Sequence, residues 1–163
     1  MPRLPMIVVA CLLGAVFAAG CGEGGAGEGA RVTVYVSAPL RGPEASAGKR
    51  LCAGARAEAA KAGGRVEDLR LAVVCLDAAD GAGGWTLAQV GANARRATED
   101  SSAVAYVGEP DPRARKQSRP IVAAAEIAAI GGVSGEEAVA SVIAAIRDGD
   151  ASEPRDAVFQ AEG

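Results

Sequence analysis

Leu69 to Leu76 reads Leu-Arg-Leu-Ala-Val-Val-Cys-Leu, an apolar run broken only by Arg70. A strand with one wet face alternates polar and apolar residues, whereas a strand covered on both faces does not, so this run belongs inside a parallel sheet. Working outward, Asp77 to Gly84 holds three glycines and reads as a loop, and Trp85-Thr86 leads into a helix ending near Thr98. On the other side Gly63-Gly64 stops a helix that starts at Gly48 and runs to about Ala62. That helix follows a β-branched and aromatic strand, Arg31 to Val36 (RVTVYV). A third unit consists of the strand Ala103 to Val107, the turn Gly108 to Pro112 and a helix with Pro112 in its first turn. Pro120 is expected to kink or split this helix. The fourth unit is a short strand, Ile127 to Ile130, a glycine-rich turn and a helix with Ala138, Val139, Val142, Ile143 and Ile146 along one face. From Asp148 the chain is polar, with Ser152 a candidate cap for a last short helix over Glu153 to Ala161.

Four strand-then-helix units imply an α/β fold: a Rossmann-like parallel sheet of about four strands, helices on both faces, right-handed crossovers. Ligands of such sheets sit at the carboxyl edge of the strands. The loops there are 37–47, 77–85, 108–112 and 131–135, and the remainder is expected to be scaffold.

Composition narrows the chemistry. The chain has 163 residues, a net charge of -3 and a pI near 5.1, which gives no field for a nucleic-acid backbone. It has no His, so the commonest general base, the usual triads and most catalytic zinc sites are excluded together. Aromatic residues make up 3% of the chain and Gly numbers 22, so the core must rely on close backbone approach more than on large side chains.

Met6 to Gly20 is an uncharged apolar run behind Arg3, too short for a membrane span and of the length of a signal-peptide core. It ends in Ala18-Ala19-Gly20-Cys21, which resembles a bacterial lipobox with Ala18 where Leu is usual. A secretory signal without lipid and a retained short anchor are the other readings. Gly22 to Ala30 reads as a flexible tether. Its match to G-x-G-x-x-G precedes the first strand, where a dinucleotide fingerprint has no use. The expected organisation is a signal peptide over 1–20, a tether over 21–30, one lobe over 31–150 and a polar tail over 151–163.

In the loops, Gly42 to Arg50 lacks both the spacing and the hydroxyl of a phosphate loop. Cys52, early in a helix, and Cys75, late in a strand, fall near the same sheet edge. A disulfide, two buried thiols and a redox site are all open, because helix and sheet layers usually lie beyond a disulfide's reach. Glu109 and Asp111 flank Pro110, either as a cation or amine site or as a solvated turn with Asp111 capping the next helix. Arg113, Arg115, Lys116 and Arg119 read as a solvated basic face.

Several short stretches carry a resemblance. They are Ser37-Ala-Pro-Leu-Arg-Gly-Pro43, Gly54-Ala55, Gly63-Gly64, Asp77, Asn93-Ala94, Ala105-Tyr-Val-Gly108, Pro120-Ile121 and Ile127. In this order and spacing the chain resembles the substrate-binding lipoproteins of branched-chain amino acid ABC transporters, which have the type I periplasmic-binding fold. The likeness covers residues 31 to about 134. Gly135-Glu-Glu-Ala138 and its helix resemble the family's C-terminal helix, so the segment that builds a second lobe is missing from the match. The resemblance implies a lipid-anchored, extracytoplasmic, non-enzymatic protein without cofactor or metal. Its partners would be a small amino acid or amide solute, an ABC permease or a second copy of itself, and the membrane through Cys21. Ser37, Arg41, Glu109, Asp111 and Ser134 are then the expected polar contacts, with Gly108 and Gly132 letting backbone approach the ligand. One lobe leaves an open face, and the acids after the third strand repel a carboxylate, so binding is expected to be weak or lost. The alternative is a membrane-tethered protein-protein interaction module using the exposed carboxyl edge.

Overall fold

The computed structural model describes residues 30–80, 82 and 84–162. The segment read as a signal peptide, Cys21 and most of the expected tether therefore lie outside the described residues. The elements are β1 (Arg31–Ala38), α1 (Ala45–Lys61), β2 (Arg65–Val66), β3 (Leu69–Asp77), α2 (Leu87–Thr98), β4 (Ala103–Val107), α3 (Pro112–Ala123), β5 (Ala128–Ile130), α4 (Gly135–Asp148) and α5 (Pro154–Glu162). They form one sheet in the order β2-β3-β1-β4-β5. The four longer strands are mutually parallel, as the apolar run in β3 implies, and β2 pairs antiparallel at the edge.

The fifth strand escapes the sequence because it is two residues long and turns back through Glu67 at φ 48°, without the Gly or Asn that usually marks such a hairpin. Helix α3 is not split by Pro120. Pro120 and Lys116 are both exposed, so the missing intrahelical bond falls on the solvent side, and Ala124 N–H still closes on the Pro120 carbonyl (3.2 Å). Residues 151–162 are packed: Val158 of α5 is fully buried, and the Arg155 guanidinium donates to the carbonyls of Ala103 (2.9 Å) and Ser101 (2.7 Å). Ser152 does not cap α5; its hydroxyl and N–H both donate to Asp150.

The faces of the sheet differ. On one, Val32, Val34 and Val36 of β1 and Ala105 and Val107 of β4 meet α4 through Val139, Val142 and Ile146, and α5 through Val158. On the other, Tyr35 and Tyr106 meet α2 and α3 through Ala94, Ala97 and Val122. Strand β4 is apolar throughout because both its faces are covered, and its register shifts: Thr33 pairs with Ala103 and Val34 with Ala105, leaving Val104 as an extra residue. Below that bulge Tyr106 faces α2 and α3 while Ala105 and Val107 face α4.

Helix α1 packs closely against the end of β1 and the loop that follows it. A Cβ at Gly48 would run into the Pro39 carbonyl, so only Gly permits this approach. It brings Cys52 and Cys75 to a Cα separation of 6.0 Å, where the structure joins them in a disulfide.

Candidate functional site

The carboxyl ends of β1, β3, β4 and β5 carry the four loops where ligand contacts are expected. Between α1, the turn after β4 and the start of α4 lies a cavity of about 750 Å³, lined in part by Arg50, Gly54, Arg115, Val133, Ser134 and Glu136. Of the expected residues Gly108, Glu109, Gly132 and Ser134 border this cavity. Glu109 and Asp111 border a neighbouring one of about 350 Å³ beside Trp85. Ser37 and Arg41 line neither.

Most of the expected polar side chains are already engaged. Ser37 is fully buried, and its hydroxyl accepts from Asn93 Nδ2 (3.0 Å), whose Oδ1 accepts from Gln89 Nε2 (3.2 Å). Arg41 Nε donates to Asp77 Oδ2 (2.5 Å). Asp77 also accepts from the N–H groups of Leu40 (2.9 Å) and Ala79 (2.9 Å), tying the first two loops together. Partial burial works against ionisation of Asp77, but these two N–H groups and the Arg41 charge outweigh it and hold its pKa below the ordinary value.

Glu109 is neither a solvated turn residue nor an open ligand. It is 1% exposed, with Oε1 accepting from Tyr106 Oη (2.9 Å) and Oε2 from Ser118 Oγ (3.0 Å). Burial first, and the Glu109 charge second, push the Tyr106 hydroxyl well above its ordinary pKa. This carboxylate thus fastens the end of β4 to α3. Sequence reasoning missed Ser118, although its place nine residues after Glu109 on a helix facing the sheet was the available signal.

Asp111 caps α3, as one of the two sequence readings has it. Its Oδ1 accepts from Arg113 N–H (2.7 Å), and Oδ2 meets Arg113 Nη2 (2.9 Å). The Arg113 side chain is the main cause that lowers the Asp111 pKa to about 2. The same guanidinium lies 5.5 Å from the centre of the Trp85 ring, a cation–π contact linking the second and third loops. Ser134 forms a capping box: its Oγ accepts from Glu137 N–H (3.2 Å), and its own N–H donates to Glu137 Oε2 (2.8 Å). Gly132, at φ +83°, has open space where a side chain would be, whereas Gly108 is covered by the Arg115 stem.

The basic run on α3 is only partly a solvated face. Arg115 Nη1 donates to the carbonyls of Glu109 (2.7 Å) and Pro110 (2.8 Å) and pins the turn after β4. Two large apolar side chains among the described residues stand exposed, Leu87 (55%) and Val133 (42%), and both are at the carboxyl edge. Among the described residues no group of His, Cys, Asp or Glu is placed to hold a metal ion.

A central β1 flanked by β3 and β4, with helices on both faces and loops collected at one edge, is a fold shared with part of solved substrate-binding proteins of ABC transporters. A possible leucine/isoleucine/valine-binding protein from Rhodopirellula baltica matches with TM-score 0.51 and 24% identity, over 61% of this chain and 26% of that one. A leucine-binding protein from Thermotoga maritima matches with TM-score 0.53 and 18% identity, over 61% and 27%. An ABC-transporter solute-binding protein from R. palustris, solved with 4-hydroxybenzoate, matches with TM-score 0.55 and 17% identity, over 82% and 44%. The chain thus spans 26% to 44% of the length of these structures. No protein-family model and no curated protein matches the sequence.

Proposed function

We propose that the protein is a tethered, extracytoplasmic and non-enzymatic relative of ABC-transporter solute-binding proteins, reduced to one lobe, in which solute binding is weak or lost. The observation that carries this reading is the engagement of the expected ligand groups. The side chains of Ser37, Arg41, Glu109, Asp111 and Ser134 each have a partner within the protein. A carboxylate arriving at this edge would have to displace those partners. The reading of residues 1–20 as a signal and of Cys21 as the lipid acceptor supports the location, and so does the Cys52–Cys75 disulfide, since such bonds persist in oxidising compartments. Among the described residues no helix is long and apolar enough to cross a membrane.

Thermal unfolding of the full chain with leucine, isoleucine, valine and their amides at millimolar concentration tests this. A ligand present at its dissociation constant stabilises by about 0.4 kcal/mol, and one at a hundred times that constant by about 2.7 kcal/mol. The expected result is the smaller figure or less. A stabilisation near the larger would show that a single lobe still binds solute.

The exposed Leu87 and Val133 favour a second reading, in which the carboxyl edge docks another protein or a second copy of this one. Sedimentation velocity with Leu87→Ser and Val133→Ser variants separates the two. Association of the parent chain that the variants abolish supports docking, and a concentration-independent monomer removes the homodimer.

A further inference from the structure

A third cavity, of about 580 Å³, lies beside the turn after β4, between α3 and β5, and none of the expected contacts except Gly108 borders it. Its floor is apolar and made by Pro112, Ala123, Ala129 and Ile130, and its rim carries Arg115, Lys116 and Arg119. Lys116 and Arg119 are exposed and have no hydrogen-bond or ion-pair partner among the described residues.

Arg115 is placed in an unusual way. A Cβ at Gly108 would press on its stem at 3.1 Å and one at Gly131 would overlap it, so glycines ending two adjacent strands form a slot in which the side chain lies flat. Both of its hydrogen bonds among the described residues, to the Glu109 and Pro110 carbonyls, come from Nη1. The guanidinium is therefore fixed in orientation while Nε and Nη2 keep their donors. Those two nitrogens form the planar edge that matches a carboxylate with two parallel hydrogen bonds. Tyr106 and Ser118 also border the cavity, but their hydroxyl protons go to Glu109, so neither has a proton to give an anion. The head group is thereby directed to the cationic rim, and the apolar floor is left for a hydrocarbon body.

We propose that this cavity is a binding site for a small monocarboxylate with an apolar body, its carboxylate paired with the free edge of Arg115 between Lys116 and Arg119. Its volume falls in the range of small-molecule sites. A zwitterionic amino acid is disfavoured because its ammonium group would sit beside three cations. The site shares only Gly108 and Arg115 with the carboxyl-edge cavity and differs from it in ligand class, and it does not depend on the function proposed above.

The test uses the full chain, cyclohexanecarboxylate as probe and cyclohexanecarboxamide as its uncharged counterpart, followed by amide chemical shifts. The carboxylate is expected to move Ala123, Ala129 and Gly131 in a saturable way while Gly54 and Val133 stay still, and the amide is expected to move none of them. Lys116→Gln with Arg119→Gln, both exposed, should weaken binding about fivefold, and Arg115→Lys, which keeps the charge but loses the fork, about tenfold. Equal binding of the amide, shifts confined to Gly54 and Val133, or unchanged affinity in the double variant would each overturn the proposal. Leucine shifts at Gly54 and Val133 would contradict weak binding at the carboxyl edge without touching this site.

Discussion

The faces of the sheet are held by different physics. Toward α1, α4 and α5 the contacts are apolar and closed by the disulfide, and Gly135 lets α4 cross α1 where a Cβ would strike the Leu51 carbonyl. Toward α2 and α3 lie the five buried polar residues among those described, Thr33, Ser37, Asn93, Glu109 and Ser118, and no buried side-chain polar atom of the described residues lacks a partner. One face is specified by volume and the other by pairing of donors with acceptors. Residues that look like ligand contacts in the sequence are, on the second face, the means by which helices are fastened to strands.

The difference can be broken at either face. The largest effect is expected at Ile146, fully buried on the apolar face: Ile146→Ala should cost about 4 kcal/mol and Ile146→Val about 1 kcal/mol, read by urea unfolding. A similar cost for both would mean that volume is not what that face measures. On the polar face Glu109→Leu strands the Tyr106 and Ser118 hydroxyls and should cost about 3 kcal/mol, while Glu109→Gln, which keeps an acceptor, should cost about 1 kcal/mol. A neutral Glu109→Leu would show that pairing there contributes nothing. The smallest effect concerns the loops. Asp77 and Asp111 have pKa values lowered on folding, so their contribution is present above the ordinary carboxylate range and is lost as pH falls through the folded values. With Asp111 moved from 3.8 to about 2, the melting temperature should decline between about pH 4 and pH 2, less steeply in Asp77→Asn. A parallel decline in that variant would remove Asp77 from the account.

The sequence carries the architecture well where a period or a run exists. The unbroken apolar β3, the glycines after α1 and the stripe on α4 each fix an element, and their alternation fixes a parallel sheet. It carries less where one residue decides. The bulge at Val104 hides which way Tyr106 points, and without that direction Glu109 reads as a solvated acid beside proline rather than the partner of a buried phenol. The disulfide was undecidable from spacing because it depends on how near α1 approaches the sheet, which Gly48 sets. Arg115 was hidden in a basic run for a related reason, since its slot is built by glycines on two strands that are distant in sequence.

Because β1, β3, β4 and β5 run the same way, the helices that follow them, α1, α2, α3 and α4, all begin at one edge. Each helix start behaves as about half a positive charge, felt within the first turn. In a chain with net charge -3, three acids, Glu44, Asp111 and Glu137, sit at those starts as internal counter-ions. Any molecule that approaches this end meets a dipolar surface whose sign the overall charge does not foretell.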